Sequence, residues 1–138
     1  MPTTAIIGII LPVTLTAAAA AAIINIWLSM RIGRIRTREK ISVGDGGNEL
    51  LARRMRAQLN FVENAAFVLI LTVAIELSGR SQPWLAYVMA AFMLGRVAHA
   101  LGMDGGSLAW GRMVGTIITL LTQLGLAIAA VLIVLGVI

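Results

Sequence analysis

The chain has 138 residues, of which 59% are apolar and 12% charged, and its mean hydropathy is +0.96. A soluble domain of this size does not need so apolar a composition for its core, so we predict an all-α integral membrane protein. The formal charge of +5 does not indicate a nucleic-acid partner, because eight of the eleven basic residues lie between Arg31 and Arg56, a pattern typical of a short cytoplasmic loop.

The first predicted membrane span covers residues 5–30, which carry no charge. At 1.5 Å per residue this stretch is long enough to cross ~30 Å of hydrocarbon. A signal peptide is the competing interpretation, but the basic segment that should precede it is missing and the apolar run is too long. The alanines at 17–22 offer a narrow surface for helix packing. Residues 31–48 are predicted to form a polar loop that ends in a glycine-rich turn.

Three further spans are predicted, at about residues 49–77, 83–102 and 112–137. Asn48 or Asp45 is expected to cap the second helix, whose first turns should protrude from the bilayer. Pro83 suits the first position of the third helix. Because the loop between the second and third spans carries only Arg80, both termini are predicted to face away from the cytoplasm. The predicted fold is a single membrane domain built as a four-helix bundle.

Four polar side chains are predicted to share one face of the second helix, within an arc of roughly 80°. They are Arg53, Arg56, Asn60 and Glu63. In one interpretation the arginines reach lipid headgroups, while Glu63 pairs with Arg96 or Arg56 inside the bundle. In the other, this face binds an anionic, peptide-like ligand, because Arg contacts carboxylates, Asn both donates and accepts, and Glu accepts from an ammonium group.

The chain has no Cys and one His. This composition excludes disulfides, thiolate metal sites and a cysteine nucleophile, and we predict no metal centre. His99 shares a helix face with Phe92, Arg96 and Met103. It is either a hydrogen-bonded packing residue or an acid or base.

The polar residues also form a recognisable motif. Residues 56–63 read Arg-Ala-Gln-Leu-Asn-Phe-Val-Glu, residues 44–48 read Gly-Asp-Gly-Gly-Asn, and residues 95–102 read Gly-Arg-Val-Ala-His-Ala-Leu-Gly. With these motifs, nearly the whole chain resembles the MAPEG family, the membrane-associated proteins of eicosanoid and glutathione metabolism, and most closely its short bacterial members.

The resemblance implies a homotrimer in the bilayer of a bacterial inner membrane, with glutathione bound between subunits near the cytoplasmic face as a co-substrate. It implies that Arg112 stabilises the glutathione thiolate and is the catalytic residue. Arg36 is the nearest match to a ligand-binding arginine at the end of the first span, and Arg34 and Arg38 remain alternatives. The predicted glutathione-binding residues, including Arg53 from the shared helix face, are Arg36, Arg53, Arg56, Gln58, Asn60, Glu63 and His99.

Four positions depart from the family pattern. Asn64 and Ala66 stand where many relatives have Tyr and Pro, Met103 replaces a Tyr of the eicosanoid synthases, and Met113 replaces a hydroxyl residue beside Arg112. These departures argue against a prostaglandin- or leukotriene-forming role. The predicted function is therefore a glutathione-dependent transferase or peroxidase acting on small hydrophobic electrophiles or lipid hydroperoxides, with the second substrate unspecified. The alternatives are a small four-span transporter subunit, with Glu63 as a proton or cation site, and a non-catalytic membrane scaffold.

Overall fold

The computed structural model describes residues 10–81 and 83–138, which form four long helices, one short 3-10 helix and no strand. The helices are α1 (Pro12–Glu39), α2 (Glu49–Leu77), α3 (Trp84–Met103) and α4 (Trp110–Val134), and the 3-10 helix is Gly106–Leu108. Each long helix is long and apolar enough to span a membrane. This confirms an all-α protein with four candidate spans. Residues 5–9 of the first predicted span lie outside the described residues.

Helix α1 continues past residue 30, where its uncharged apolar stretch ends. The predicted loop from residue 31 is wrong for residues 31–39, which are helical. Ile32 and Ile35 are buried against Leu51 of α2, so an apolar face persists on α1 after the membrane-length stretch has ended. The helix stops at Lys40, whose positive φ of 56° forms a left-handed cap, and its N–H bonds to the Arg36 carbonyl.

Helix α2 begins at Glu49 and ends at Leu77, the residues where the sequence placed the second helix. Of the two predicted caps, Asn48 is the one observed: its Oδ1 accepts from the Leu51 N–H at 2.9 Å. Asp45 instead accepts from the Gly47 N–H at 2.9 Å within the preceding turn.

Helices α3 and α4 approach so closely that glycine is required between them. A Cβ atom on Gly102 would lie 2.1 Å from the Arg112 nitrogen, and one on Gly111 would lie 2.4 Å from the Ala98 carbonyl oxygen. No side chain fits at such distances. The last turn of α3 and the first turn of α4, which carries Arg112, are therefore fixed relative to each other.

Helix α1 packs on the bundle through its alanines, and a carboxylate from α2 caps its start. Ala17 and Ala21 are buried in the apolar core, as the run of small residues predicted. At this end of the bundle, Glu76 is buried, and its carboxylate accepts from the N–H groups of Val13 at 2.9 Å and Thr14 at 2.7 Å. A carboxylate at a helix N-terminus satisfies free N–H donors and is stabilised by the helix dipole.

Candidate functional site

The predicted polar face of α2 is exposed on the surface of the protomer. Arg56 and Glu63 are exposed and Asn60 is half-buried. Among residues 10–81 and 83–138, neither Arg56 nor Glu63 takes part in an ion pair. The interpretation in which Glu63 pairs with Arg96 or Arg56 inside the bundle is therefore not what the structure shows. Two charged side chains, Arg56 and Glu63, therefore face outward from a membrane helix.

Behind this face, Arg96 of α3 is 1% exposed and holds two of the predicted ligand residues. Its Nη2 donates to Asn60 Oδ1 at 2.6 Å and lies 3.4 Å from His99 Nδ1, while Nη1 donates to Thr119 Oγ1 at 2.8 Å. Because a guanidinium group only donates, Nδ1 of His99 is the acceptor and the ring proton lies on Nε2. The network ties α2, α3 and α4 together and orients Asn60 and His99.

A groove between α1 and α2 contains three more of the predicted residues: Arg36, Arg56 and Gln58. We call it the α1–α2 groove; its volume is about 710 Å³. Arg36 is held in place because its Nη1 donates to the Ile41 carbonyl at 3.5 Å and its Nη2 contacts the Met55 sulfur at 3.4 Å. The remaining lining residues are Ser29, Ile32, Gly33, Met55, Leu59 and Val62.

Gln58 is anchored to α1 by its side-chain amide. Its Nε2 donates to Asn25 Oδ1 at 3.1 Å and to Ser29 Oγ at 2.6 Å. Both acceptors belong to α1, so Gln58 holds the two walls of the α1–α2 groove together. Its amide oxygen can accept a further hydrogen bond.

A second groove, which we call the loop groove, contains two further predicted residues, Arg53 and Arg112. Its volume is about 480 Å³. Arg112 is exposed, and Arg53 pairs with Glu49 at 2.5 Å one helical turn away. Two of the positions that depart from the family pattern, Met103 and Met113, also line it, together with Gly102, Gly105, Ala109 and Trp110.

The structure thus brings the predicted residues to one end of the bundle but not into one cavity. The two grooves have no lining residue in common. Asn60 and His99 meet at Arg96, and Glu63 lies outside both grooves. A single protomer therefore presents two partial sites.

A clamp that no sequence pattern predicted joins these elements; it is made by Arg31, Arg54 and Asp104. Asp104 accepts from Arg31, and both its oxygens accept from Arg54 at 3.1 and 2.9 Å. Arg31 also donates to the Ala100 carbonyl at 3.1 Å and lies 4.8 Å from the centre of the Trp27 ring. One signal was present in the sequence: Asp104 is the only acidic residue after Glu76.

The clamp keeps Asp104 ionised. Burial raises the pKa of its carboxyl, but the hydrogen bond from Arg54 and the positive charges of Arg31 and Arg54 outweigh burial and hold that pKa below its ordinary value. The negative charge is shared between α1 and α2 at the point where α3 ends. It therefore fixes the start of the connection that leads to Arg112.

Asn64, another departure from the family pattern, has a role inside the protomer. Its Oδ1 accepts from Gln123 Nε2 at 2.6 Å, and its Nδ2 donates to the Asn60 carbonyl at 2.7 Å. The amide joins α2 to α4 directly behind the polar face. It thus supports the helix that carries Asn60 and Glu63.

Comparison with known proteins agrees with this architecture. The chain is 26% identical over 96 residues to inner membrane protein YecN of Escherichia coli K12, which covers 69% of this chain and 72% of that protein. The YecN protein of Escherichia coli O6:H1 matches with the same identity and coverage. The MAPEG family model matches residues 14–132, which include most of all four membrane helices. The chain therefore belongs to the MAPEG family.

Proposed function

We propose that this protein is a glutathione-dependent transferase or peroxidase of the inner membrane, acting as a homotrimer on small hydrophobic electrophiles or lipid hydroperoxides. The observation that carries the proposal is the α2 face on which Arg56 and Glu63 are exposed without an ion-pair partner among the described residues. Charged groups on a membrane helix are costly unless a ligand, a neighbouring subunit or water satisfies them. MAPEG membership supports glutathione as that ligand, since the family includes glutathione transferases and peroxidases.

Self-association is supported by the spacing of residues along α2. Residues that are alternately three and four positions apart form one continuous stripe of exposed or half-exposed side chains. This 3-4 spacing is the pattern by which helices pack around a common axis. The stripe consists of Arg56, Leu59, Glu63, Ala66, Ile70, Val73 and Leu77. A second copy of α2 placed along it would cover the apolar part and enclose Glu63.

The two grooves lie at the same end of the bundle, because Asp104 at the loop groove contacts Arg54 beside the α1–α2 groove. We propose that the α1–α2 groove of one protomer faces the loop groove of the next. Glutathione bound between them would meet Arg36 and Arg56 with its carboxylates, Glu63 with its ammonium group, and Arg112 with its sulfur.

The chemistry this arrangement must supply is modest. A thiol with a pKa near 8.5 is only a few per cent ionised at neutral pH, and an adjacent guanidinium that lowers that pKa by two units stabilises the thiolate by about 2.7 kcal/mol. The thiolate then attacks an electrophilic carbon arriving from the lipid, and an S–C bond forms as the leaving group departs or the adduct is protonated. With a hydroperoxide it attacks an oxygen, the O–O bond breaks and an alcohol is released after protonation. A second glutathione then converts the glutathione sulfenic acid to the disulfide and water. No protein nucleophile is required.

Arg112→Ala tests the proposal. The measurement is a glutathione titration of the detergent-solubilised protein at pH 7. We expect the wild type to develop thiolate absorbance. Arg112→Ala should still bind glutathione, but its thiolate absorbance should be at least about tenfold lower. Arg80→Ala, which removes an exposed arginine at the other end of the bundle, should match the wild type. If Arg112→Ala binds glutathione with undiminished absorbance, Arg112 is not the catalytic residue.

A non-catalytic scaffold is the second candidate, and one observation favours it: Asn60 and His99 are already hydrogen-bonded to Arg96 within the protomer. A scaffold of this kind would keep the polar network for assembly alone. The same titration distinguishes the two candidates, because a scaffold should show neither glutathione binding nor a thiolate signal.

A further inference from the structure

Three arginines lie close together on the last turns of α1, and they face two different directions. Arg36 lines the α1–α2 groove, whereas Arg34 and Arg38 lie about 160–200° from it around the helix, on the side away from α2. Arg34 and Arg38 are one turn apart and only about 40° from each other. The proposed glutathione site uses Arg36 and leaves this second pair unexplained.

Arg34 and Arg38 line a shallow surface groove of about 480 Å³ together with Met30, Gly33 and Thr37. A Cβ atom added to Gly33 would meet nothing within 4 Å, so there is empty space beside Gly33 in this groove. Thr37 contributes a hydroxyl group to the same groove. The groove is therefore large enough for a headgroup-sized anion and carries hydrogen-bond donors.

The charge of this groove is positive. Arg34 has no carboxylate within salt-bridge distance among the described residues. The Arg38 side chain, which is 68% exposed, contacts the Glu39 carboxylate at 2.7 Å, and that carboxylate is itself 40% exposed. An exposed ion pair of this kind is weak and exchanges readily for a stronger anionic partner. The two guanidinium groups therefore retain most of their capacity to bind a phosphate.

An apolar stripe leads directly from the groove toward the other end of α1. Ile23 is 68% exposed, Ile26 59% and Met30 53%, and all three lie on the same side of the helix as Arg34. From Ile23 to Arg34 the stripe rises by about 16 Å. A basic pair at the end of an exposed apolar stripe has the chemistry of an amphiphile-binding surface.

We propose that the outer face of α1 binds an anionic phospholipid. The phosphate accepts hydrogen bonds from Arg34 and Arg38, and an acyl chain lies along Met30, Ile26 and Ile23. Arginine suits this role because its planar guanidinium group donates two parallel hydrogen bonds to phosphate oxygens. The inference does not depend on glutathione binding.

The test is competitive lipid retention, measured by native mass spectrometry on the full-length protein. The protein is reconstituted with phosphatidylglycerol and phosphatidylcholine of identical acyl chains. The wild type should retain phosphatidylglycerol over phosphatidylcholine by about tenfold or more, and this preference should weaken at high salt. The double variant Arg34→Gln/Arg38→Gln should lose it. The variant Arg34→Lys/Arg38→Lys should keep part of it, since lysine keeps the charge without the paired donors.

Arg80→Gln is the control, because it removes an exposed arginine at the other end of the bundle. It should leave the lipid preference unchanged, and the thermal stability of all variants in phosphatidylcholine should match the wild type, since the replaced side chains are exposed. The proposal is overturned if the double glutamine variant keeps the preference, or if Arg80→Gln loses it equally. It is also overturned if the double variant changes the oligomeric mass but not the lipid preference, which would assign this face to contact between copies of the chain.

Discussion

Asp104 accepts hydrogen bonds from arginines of two different helices, Arg31 of α1 and Arg54 of α2. Each arginine makes a further bond to backbone: Arg31 to the Ala100 carbonyl and Arg54 to the Arg31 carbonyl, both at 3.1 Å. The carboxylate is therefore the shared acceptor of a closed network. Its removal would leave two largely buried guanidinium groups without a counter-ion, which costs more than the loss of an exposed pair.

Asp104→Asn should lower the free energy of unfolding by about 1–3 kcal/mol. The amide has one acceptor oxygen where the carboxylate has two, and it lacks the carboxylate's negative charge. The measurement is denaturant unfolding of the detergent-solubilised protein. Glu49→Gln is the matched control, since it breaks the ion pair with Arg53. This pair is exposed: the Arg53 side chain is 46% exposed and the Glu49 side chain 78%. That change should stay within about 0.5 kcal/mol of the wild type. Equal effects of the two substitutions would contradict the structural role of Asp104.

The same carboxylate predicts how stability depends on pH. Because the pKa of Asp104 is lower in the folded protein than its ordinary value, its contribution is fully present above the unfolded-state pKa of about 3.9 and is lost as the pH falls through the folded-state pKa. The stability difference between the wild type and Asp104→Asn should thus be constant from neutral pH down to about pH 5 and shrink below about pH 4. A difference that grows on acidification would contradict this assignment.

At this scale the sequence identified which side chains are polar and share a face, but not which atoms they meet. Arg56, Asn60 and Glu63 were placed on one helix face because helical periodicity is local. The partner of Arg96 was not predictable: the expected carboxylate was Glu63, whereas the structure pairs Arg96 with Asn60 and Thr119. That choice depends on the packing of three helices, which no local pattern encodes.

The helices themselves were predictable from apolar length, and their ends only in part. Hydropathy detects where an apolar stretch stops, which for α1 is residue 30, but the helix continues to Glu39 because Ile32 and Ile35 still pack on α2. The start of α2 was predicted correctly because Asn48 has the chemistry of an N-terminal cap. A capping residue marks the end of a helix, whereas a change in hydropathy marks the edge of a membrane.

The contact between α3 and α4 gives a prediction for whole elements. Gly111→Ala should force the helices apart, since its Cβ would lie 2.4 Å from the Ala98 carbonyl oxygen. We expect a loss of about 1–3 kcal/mol in unfolding free energy. Gly125→Ala on the same helix is the control: no atom lies within 4 Å of the added Cβ, and the change should be neutral or stabilising by up to about 1 kcal/mol. If both variants unfold alike, the two helices do not pack as closely as described.

For the whole molecule, the sequence predicted a four-helix membrane protein, and the MAPEG resemblance was confirmed by the match over residues 14–132. What it could not give was the division of the predicted ligand residues between two grooves. This division arises because α1 packs on α2, while the start of α4 is fixed to the end of α3. Joining the grooves into one site requires a second copy of the chain, and the sequence of one chain does not specify how copies are arranged.

The orientation in the membrane decides which glutathione pool the proposed site can reach. The end bearing Arg34, Arg36, Arg38 and Lys40 should be cytoplasmic, because short basic loops are retained there. The chain has no Cys, so a single introduced thiol reports its own side. In spheroplasts, a membrane-impermeant maleimide should label Ser78→Cys, in the loop after α2, without permeabilisation. It should label Val43→Cys, where the native side chain is 86% exposed, only after permeabilisation. The reverse pattern would place Arg112 and both grooves on the periplasmic side, away from cytoplasmic glutathione, and would remove the basis for a cytoplasmic transferase even if the purified protein binds the tripeptide.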